Sequence, residues 1–213
     1  MRAVNRQLLI PTALVAIAGV VSAVGFGSHA GQTVVVVGDS LTAQSEAPIG
    51  LVLTADRWRP IVDGRSGSSI TNRNSIVDWP TRITELASTH PSVVVIELGT
   101  NDCANCGDDL DGGIDRILAP LRHTRRVVWL TVQDTAVERS SDPEGVNEAL
   151  RRATVRWPNL ELLDMKGHFD GHPEWHIADL LHFNAAGSKE LADLIRDAID
   201  EPPSPNRTLT PVV

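Results

Sequence analysis

Thr33-Val34-Val35-Val36-Val37-Gly38-Asp39-Ser40 is the stretch on which the fold reading rests. An unbroken β-branched run closed by glycine reads as a strand buried on both faces, the mark of a parallel sheet. Ser40 then stands at the carboxyl end of that strand, the edge along which open α/β sheets build their sites. A serine hydroxyl alone is a poor nucleophile, so the reading gains weight only if other parts of the chain supply a base and an oxyanion site.

Working outward, Ser92 to Glu97, Arg126 to Val132 and Leu160 to Leu163 read as further strands, and Pro60 to Val62 as a weaker strand suited to an edge. Helical stretches alternate with them near Leu41 to Arg57, Ser75 to Ser88, Asp108 to Leu121, Pro143 to Arg156 and Asn184 to Asp200. The last is the plainest: Asn184 can cap it, and Ala185, Leu191, Leu194, Ile195 and Ala198 recur at helical spacing. Five strands alternating with helices give a three-layer α/β/α sandwich around a five-stranded parallel sheet. The flavodoxin-like order 2-1-3-4-5 is the expected topology, with strands 1 and 3 adjacent at the switch point.

The chain has 213 residues, 42% hydrophobic and 22% charged, enough for one domain with short extensions. Residues 1–30 carry Arg2 and Arg6, an apolar stretch from Leu8 to Val24, and small residues Ser28 and Ala30 before Gly31. This reads as an export signal cut after Ala30, or as a retained membrane anchor; both put the domain outside the cytoplasm, secreted or in the cell envelope. Residues 31–200 form the expected domain, and 201–213, with Pro202, Pro203 and Pro205, a loose tail. The net charge of −8 becomes −10 without residues 1–30, at 17 Lys+Arg against 27 Asp+Glu, which argues against nucleic acid as a partner.

Three further segments bear on Ser40. Leu98-Gly99-Thr100-Asn101-Asp102 leaves strand 3, and the Asn101 amide is a donor of the kind that stabilises charge developing on a carbonyl oxygen; the segment also fits an ordinary tight turn. Asp63-Gly64-Arg65-Ser66-Gly67-Ser68-Ser69 follows strand 2, and glycine there can turn a backbone amide toward an anion, or simply connect. Asp179-Leu180-Leu181-His182 follows strand 5. In a turn, Asp179 can accept from one imidazole nitrogen of His182 and leave the other facing Ser40.

These blocks, Gly38-Asp39-Ser40, Gly67, Gly99-Thr100-Asn101-Asp102 and Asp179-Leu180-Leu181-His182, resemble those of the SGNH, or GDSL-like, hydrolase superfamily, in family order and across residues 38–182. Asn184-Ala185-Ala186-Gly187 resembles the usual continuation. The resemblance implies Ser40 as nucleophile, His182 as general base and then acid, and Asp179 as its orienting partner. It implies an oxyanion hole from the backbone amides of Ser40 and Gly67 and the Asn101 side chain, with no metal and no organic cofactor. The implied activity is that of an exported esterase working through an acyl-enzyme. A transferase passing the acyl group to a sugar hydroxyl, or a deacetylase of envelope glycan, needs the same constellation. No GxSxG elbow surrounds Ser40, which disfavours the α/β-hydrolase fold.

The expected partner is an ester substrate, whether small ester, lipid or acylated glycan, with membrane contact only through an uncleaved N-terminus and a monomeric state. Cys103 and Cys106 have the spacing of a redox pair, half a zinc site or a local disulfide; in an exported chain lacking a second cysteine pair, a disulfide stiffening the Asn101 loop is expected. His168, His172 and His176 recur every four residues, but Gly167, Gly171 and Pro173 argue against a continuous metal-binding helix, and Trp175 is a candidate pocket wall. A non-catalytic glycan-binding module would not need all four blocks, and a redox protein would leave Asp179 and His182 unexplained.

Overall fold

A computed structural model describes residues 29–72, 76–103, 107, 109–134 and 142–201. Of the expected signal or anchor, 1–30, residues 1–28 lie outside the described residues, as do 202–213 of the expected tail, 201–213. Among the described residues no helix is long and apolar enough to cross a membrane.

Five parallel strands, β1 (Thr33–Gly38), β2 (Arg59–Gly64), β3 (Val93–Glu97), β4 (Arg126–Leu130) and β5 (Leu160–Leu163), form one sheet in the order β2-β1-β3-β4-β5. This is the expected 2-1-3-4-5 topology. Helices α1 (Ser40–Ala55), α2 (Trp79–Ala87), α3 (Leu110–Leu118), α4 (Pro143–Arg156), α5 (Met165–Phe169) and α6 (Ala185–Asp200) flank it.

The side-chain alternation of a strand sorts the core into two layers. Val35 and Val37 of β1 face a cluster with Ile83 of α2, Ile114 of α3 and Leu150 of α4, while Val34 and Val36 face one with Leu53 of α1 and Ile195 of α6. The continuous valine run is therefore explained: each strand residue needs an apolar partner on one side or the other.

Short polar residues fix several helix starts. Asp39, Asp109, Asp142, Asp164 and Asn184 each accept a hydrogen bond from an amide in the first turn of α1, α3, α4, α5 and α6. Asn184 caps α6 as expected, although Ala185 in its first turn is exposed, lying beyond the stripe that Leu191, Ile195 and Ala198 bury. The expected second helix starts later than Ser75, at Trp79, with a proline in its first two positions; the third ends at Leu118 and continues as a 3-10 turn through Pro120.

The segment between β5 and Asp179 contains α5 and a 3-10 turn at Pro173–Trp175. The interruption by Gly171, with φ +81°, and by Pro173 keeps His168, His172 and His176 off any common helical face.

Arg126, buried at the start of β4, makes a bidentate pair with Glu161 at 2.9 Å through both Nε and Nη2. It also donates to the carbonyls of Ala198, Ile199 and Glu201, so it closes the end of α6. Arg126→Ala leaves Glu161 without its partner and those carbonyls without donors. It is expected to lower unfolding free energy by about 3–5 kcal/mol, read from urea titration.

Candidate functional site

The sheet order places the ends of β2, β1 and β3 side by side, so the loops leaving them share one crevice. Ser40 is the first residue of α1, directly past β1. Its amide is one of the helix-start N–H groups that has no partner within the helix. Gly38 is required just before it, because a Cβ there would fall 2.7 Å from the Glu97 carbonyl oxygen of the neighbouring strand and closer still to the Thr42 hydroxyl.

The Asp179 segment is turn-like. Leu180 takes φ +54°, and Asp179 Oδ1 accepts the amides of Leu181 at 3.0 Å and His182 at 2.9 Å. Its other oxygen lies 2.7 Å from His182 Nδ1, and His182 Nε2 lies 3.0 Å from Ser40 Oγ. Three residues expected to act together are thus brought together across 142 positions of chain. Burial pushes the Asp179 carboxyl up, but the hydrogen bonds from His182 and from the two amides outweigh it and hold the pKa at about 2. Asp179 is therefore a carboxylate throughout the neutral range. Nδ1 then carries the proton it donates to Asp179, and Nε2 is the acceptor facing Ser40.

Loop positions are fixed by long-range bonds. Arg65 N donates to the Gly38 carbonyl at 2.8 Å, tying the β2 loop to β1. Gly67 in that loop has φ +78°, a conformation open to glycine and strained for other residues. The Asn101 amide nitrogen donates to the Ser68 carbonyl at 2.9 Å and, at a longer 3.3 Å, to Asp39 Oδ2. Gly99 has φ +131°, and a Cβ there would meet Val132 Cγ2 at 2.6 Å, so the turn that delivers Asn101 depends on that glycine.

Several supporting contacts carried no signal in the sequence reading. Asp102, fully buried, accepts from Ile70 N, Thr71 N and the Thr71 hydroxyl, clamping the segments that follow β2 and β3 together. Trp129 Nε1 donates to the Leu98 carbonyl at 3.0 Å. Gln133 Nε2 donates to the Leu181 carbonyl at 2.9 Å, and Gln133 Oε1 lies 3.2 Å from Nε2 of buried His176. Each is a residue after or within a strand whose partner lies far away along the chain.

Trp175 packs rather than lining the adjoining cavity. Its ring stacks with those of His172, centroids 3.9 Å apart, and His168, 5.5 Å apart. A cavity of about 170 Å³ next to it is lined by Phe169, Gly171, His172, Pro173, His176 and Leu180. Cys103 is buried at the end of the Asn101 loop; Cys106 lies outside the described residues, so their pairing stays a proposal.

Residues 36–190 match the family model of the GDSL-like lipase/acylhydrolase family, and the chain belongs to that family. It is 29% identical over 145 residues to platelet-activating factor acetylhydrolase IB subunit alpha2 of Rattus norvegicus, covering 61% of this chain and 63% of the relative. It is 31% identical over 165 residues to O-acetyltransferase OatA of Staphylococcus aureus (strain NCTC 8325 / PS 47), covering 75% of this chain but 24% of that protein. The chain thus spans less than two thirds of the length of either curated relative. The fold is similar to that of AlinE4, an SGNH-hydrolase family esterase, with TM-score 0.53, 19% identity, and coverage of 79% of this chain and 94% of AlinE4.

Proposed function

We propose that this chain is an exported serine esterase that hydrolyses carboxylic esters of short acyl groups, acetyl foremost, through an acyl-enzyme on Ser40. The observation that carries the reading is the continuous line Ser40 Oγ, His182 Nε2, His182 Nδ1, Asp179 Oδ2, with gaps of 3.0 and 2.7 Å.

Ser40 Oγ attacks the ester carbonyl carbon as its proton passes to His182 Nε2. Negative charge gathers on the carbonyl oxygen, where the amides of Ser40 and Gly67 and the Asn101 side chain are the proposed donors. The Ser68 carbonyl holds one Asn101 hydrogen, and the long contact to Asp39 is the one an oxyanion would replace. The tetrahedral intermediate collapses, His182 protonates the departing alcohol, and an acyl-Ser40 ester remains. Water, deprotonated by His182, then releases the carboxylic acid and restores Ser40. No step calls for a metal or cofactor.

The choice of acetyl is supported by the two curated relatives, an acetylhydrolase and an O-acetyltransferase by name. The second of them also favours an alternative acceptor: a sugar hydroxyl of envelope glycan in place of water would make the same site an acyltransferase. The basic, then apolar stretch of residues 1–30, read as a signal or anchor, supports a place in the cell envelope or outside the cell for either reading.

A panel of acetyl, butyryl and long-chain esters and O-acetylated glycans, with and without a sugar acceptor, tests the proposal. Release of free acetate is the expected result, with rates falling as the chain lengthens. Acetylated sugar as the main product would assign transfer, and no turnover of any ester would overturn the reading. Asn101→Ala is expected to lower kcat by about 10²–10³-fold with little change in KM, measured on the best ester of the panel.

A further inference from the structure

Beneath Ser40 lie two carboxyl groups that the proposed reaction does not use. Asp39 is fully buried and Glu97, the last residue of β3, is 1% exposed. They meet because Gly38 and Glu97 are register partners on adjacent strands. Glu97 Oε2 accepts from the Asp39 amide at 3.3 Å, the Thr42 amide at 3.2 Å and the Thr42 hydroxyl at 3.0 Å. Asp39 Oδ1 caps α1 through the Leu41 amide at 3.0 Å, and Oδ2 receives the Asn101 side chain. The two carboxyl groups are thus buried within one hydrogen-bonded network, joined through the Asp39 amide and the Thr42 turn.

Two ionised carboxylates buried side by side at the ends of adjacent strands would repel each other out of reach of water. Buried in contact, a pair of this kind holds one proton between them. Glu97 is assigned the proton because both Asp39 oxygens already accept, from the Leu41 amide and the Asn101 side chain, whereas the three donors to Glu97 all fall on Oε2. Burial and the Asp39 charge push the Glu97 pKa well above the usual carboxylate range, and burial raises that of Asp39 to about 6. The pair titrates as a unit. Asp102 is the other charged group acting on it, adding negative charge from the Asn101 loop while held by Ile70 and Thr71. From the far side of Ser40 stand His182 and Asp179.

We propose that Glu97 is a positioning residue, a neutral carboxylic acid whose proton bonds Asp39 and so holds both the Ser40 turn and the Asn101 amide in place. Loss of that proton at alkaline pH puts two negative charges in contact, and the turn they support is displaced. The functional half of this inference rests on Ser40 being the nucleophile; the existence of the shared proton does not.

Glu97→Gln mimics the neutral acid permanently. Its amide oxygen keeps the three donors, and its NH2 replaces the acid proton toward Asp39. The sign for stability follows from the raised folded pKa: the folded wild type binds more protons than the unfolded chain, so it loses stability as pH rises from the unfolded value toward the folded one. The Glu97→Gln protein lacks that loss. Its Tm should therefore exceed that of wild type by a margin that grows as pH rises above the ordinary glutamate range.

In turnover, Glu97→Gln should keep kcat within about threefold of wild type near neutral pH and remove its alkaline decline. Glu97→Leu should lower kcat about tenfold or more at unchanged KM. Parallel Tm curves for wild type and Glu97→Gln, or a folded Glu97→Gln with kcat down tenfold at neutral pH, would overturn the proposal. Were the wild type to turn over no ester, the esterase reading would fail, and the Tm curves would still decide whether the proton is shared.

Discussion

Ser40→Ala is expected to lower kcat/KM toward acyl esters by at least about 10⁴-fold, because no other hydroxyl stands 3.0 Å from His182 Nε2 among the described contacts. The residual rate would come from the oxyanion donors and binding alone. The substitution should leave the fold intact. Ser40 is half-buried at the first position of α1, where alanine is well tolerated, and Asp39 rather than Ser40 supplies the cap. Thermal unfolding within about 0.5 kcal/mol of wild type, combined with the rate loss, separates a missing nucleophile from a damaged structure.

Asp179→Asn is expected to cost about 10⁴-fold in kcat for a different reason. The asparagine oxygen can keep both backbone bonds, to Leu181 and His182, so the turn survives. Its NH2 then faces His182 Nδ1 as a donor, which moves the imidazole proton to Nε2, the nitrogen facing Ser40. A protonated Nε2 cannot take the serine proton. Wild-type activity should show no contribution from Asp179 titration until pH falls toward about 2, since that group stays ionised above it. Stability it contributes is likewise present above the ordinary aspartate range and lost as pH falls toward the same value. Steady-state rates of both proteins across pH check these outcomes; an Asp179→Asn enzyme within tenfold of wild type would remove the orienting role.

The legible parts of this molecule are those with local signatures. The valine run of β1 and the apolar β3 announce a two-sided sheet, and Asn184 and Pro143 mark helix starts by their own chemistry. Asp179 and His182 are three residues apart, so a turn alone brings them together. Gly99 was readable as a turn because its backbone needs glycine, although the Val132 and Val146 side chains that enforce it are contributed by distant segments.

What escaped the sequence is what only the packed sheet creates. Asp102 with Thr71, Trp129 with Leu98 and Gln133 with Leu181 join residues 31, 31 and 48 positions apart, and no spacing rule connects them. Short helix α5 was missed because Gly167, which as a poor helix former argued against it, is where the Asp164 side chain caps the turn. Glu97 left one usable sign: a carboxylate ending an otherwise apolar buried strand is costly unless it is neutral or bonded, and it proves to be bonded.

The central claim is that Ser40 becomes esterified during turnover. The direct test is to mix the protein with an activated acetyl ester, quench in acid within the first turnovers, and map the peptides by mass spectrometry. One acetyl group per chain on the peptide containing Ser40, and none in Ser40→Ala, is the predicted result. Continued turnover with Ser40 unmodified, or with the acetyl group on another residue, would contradict it.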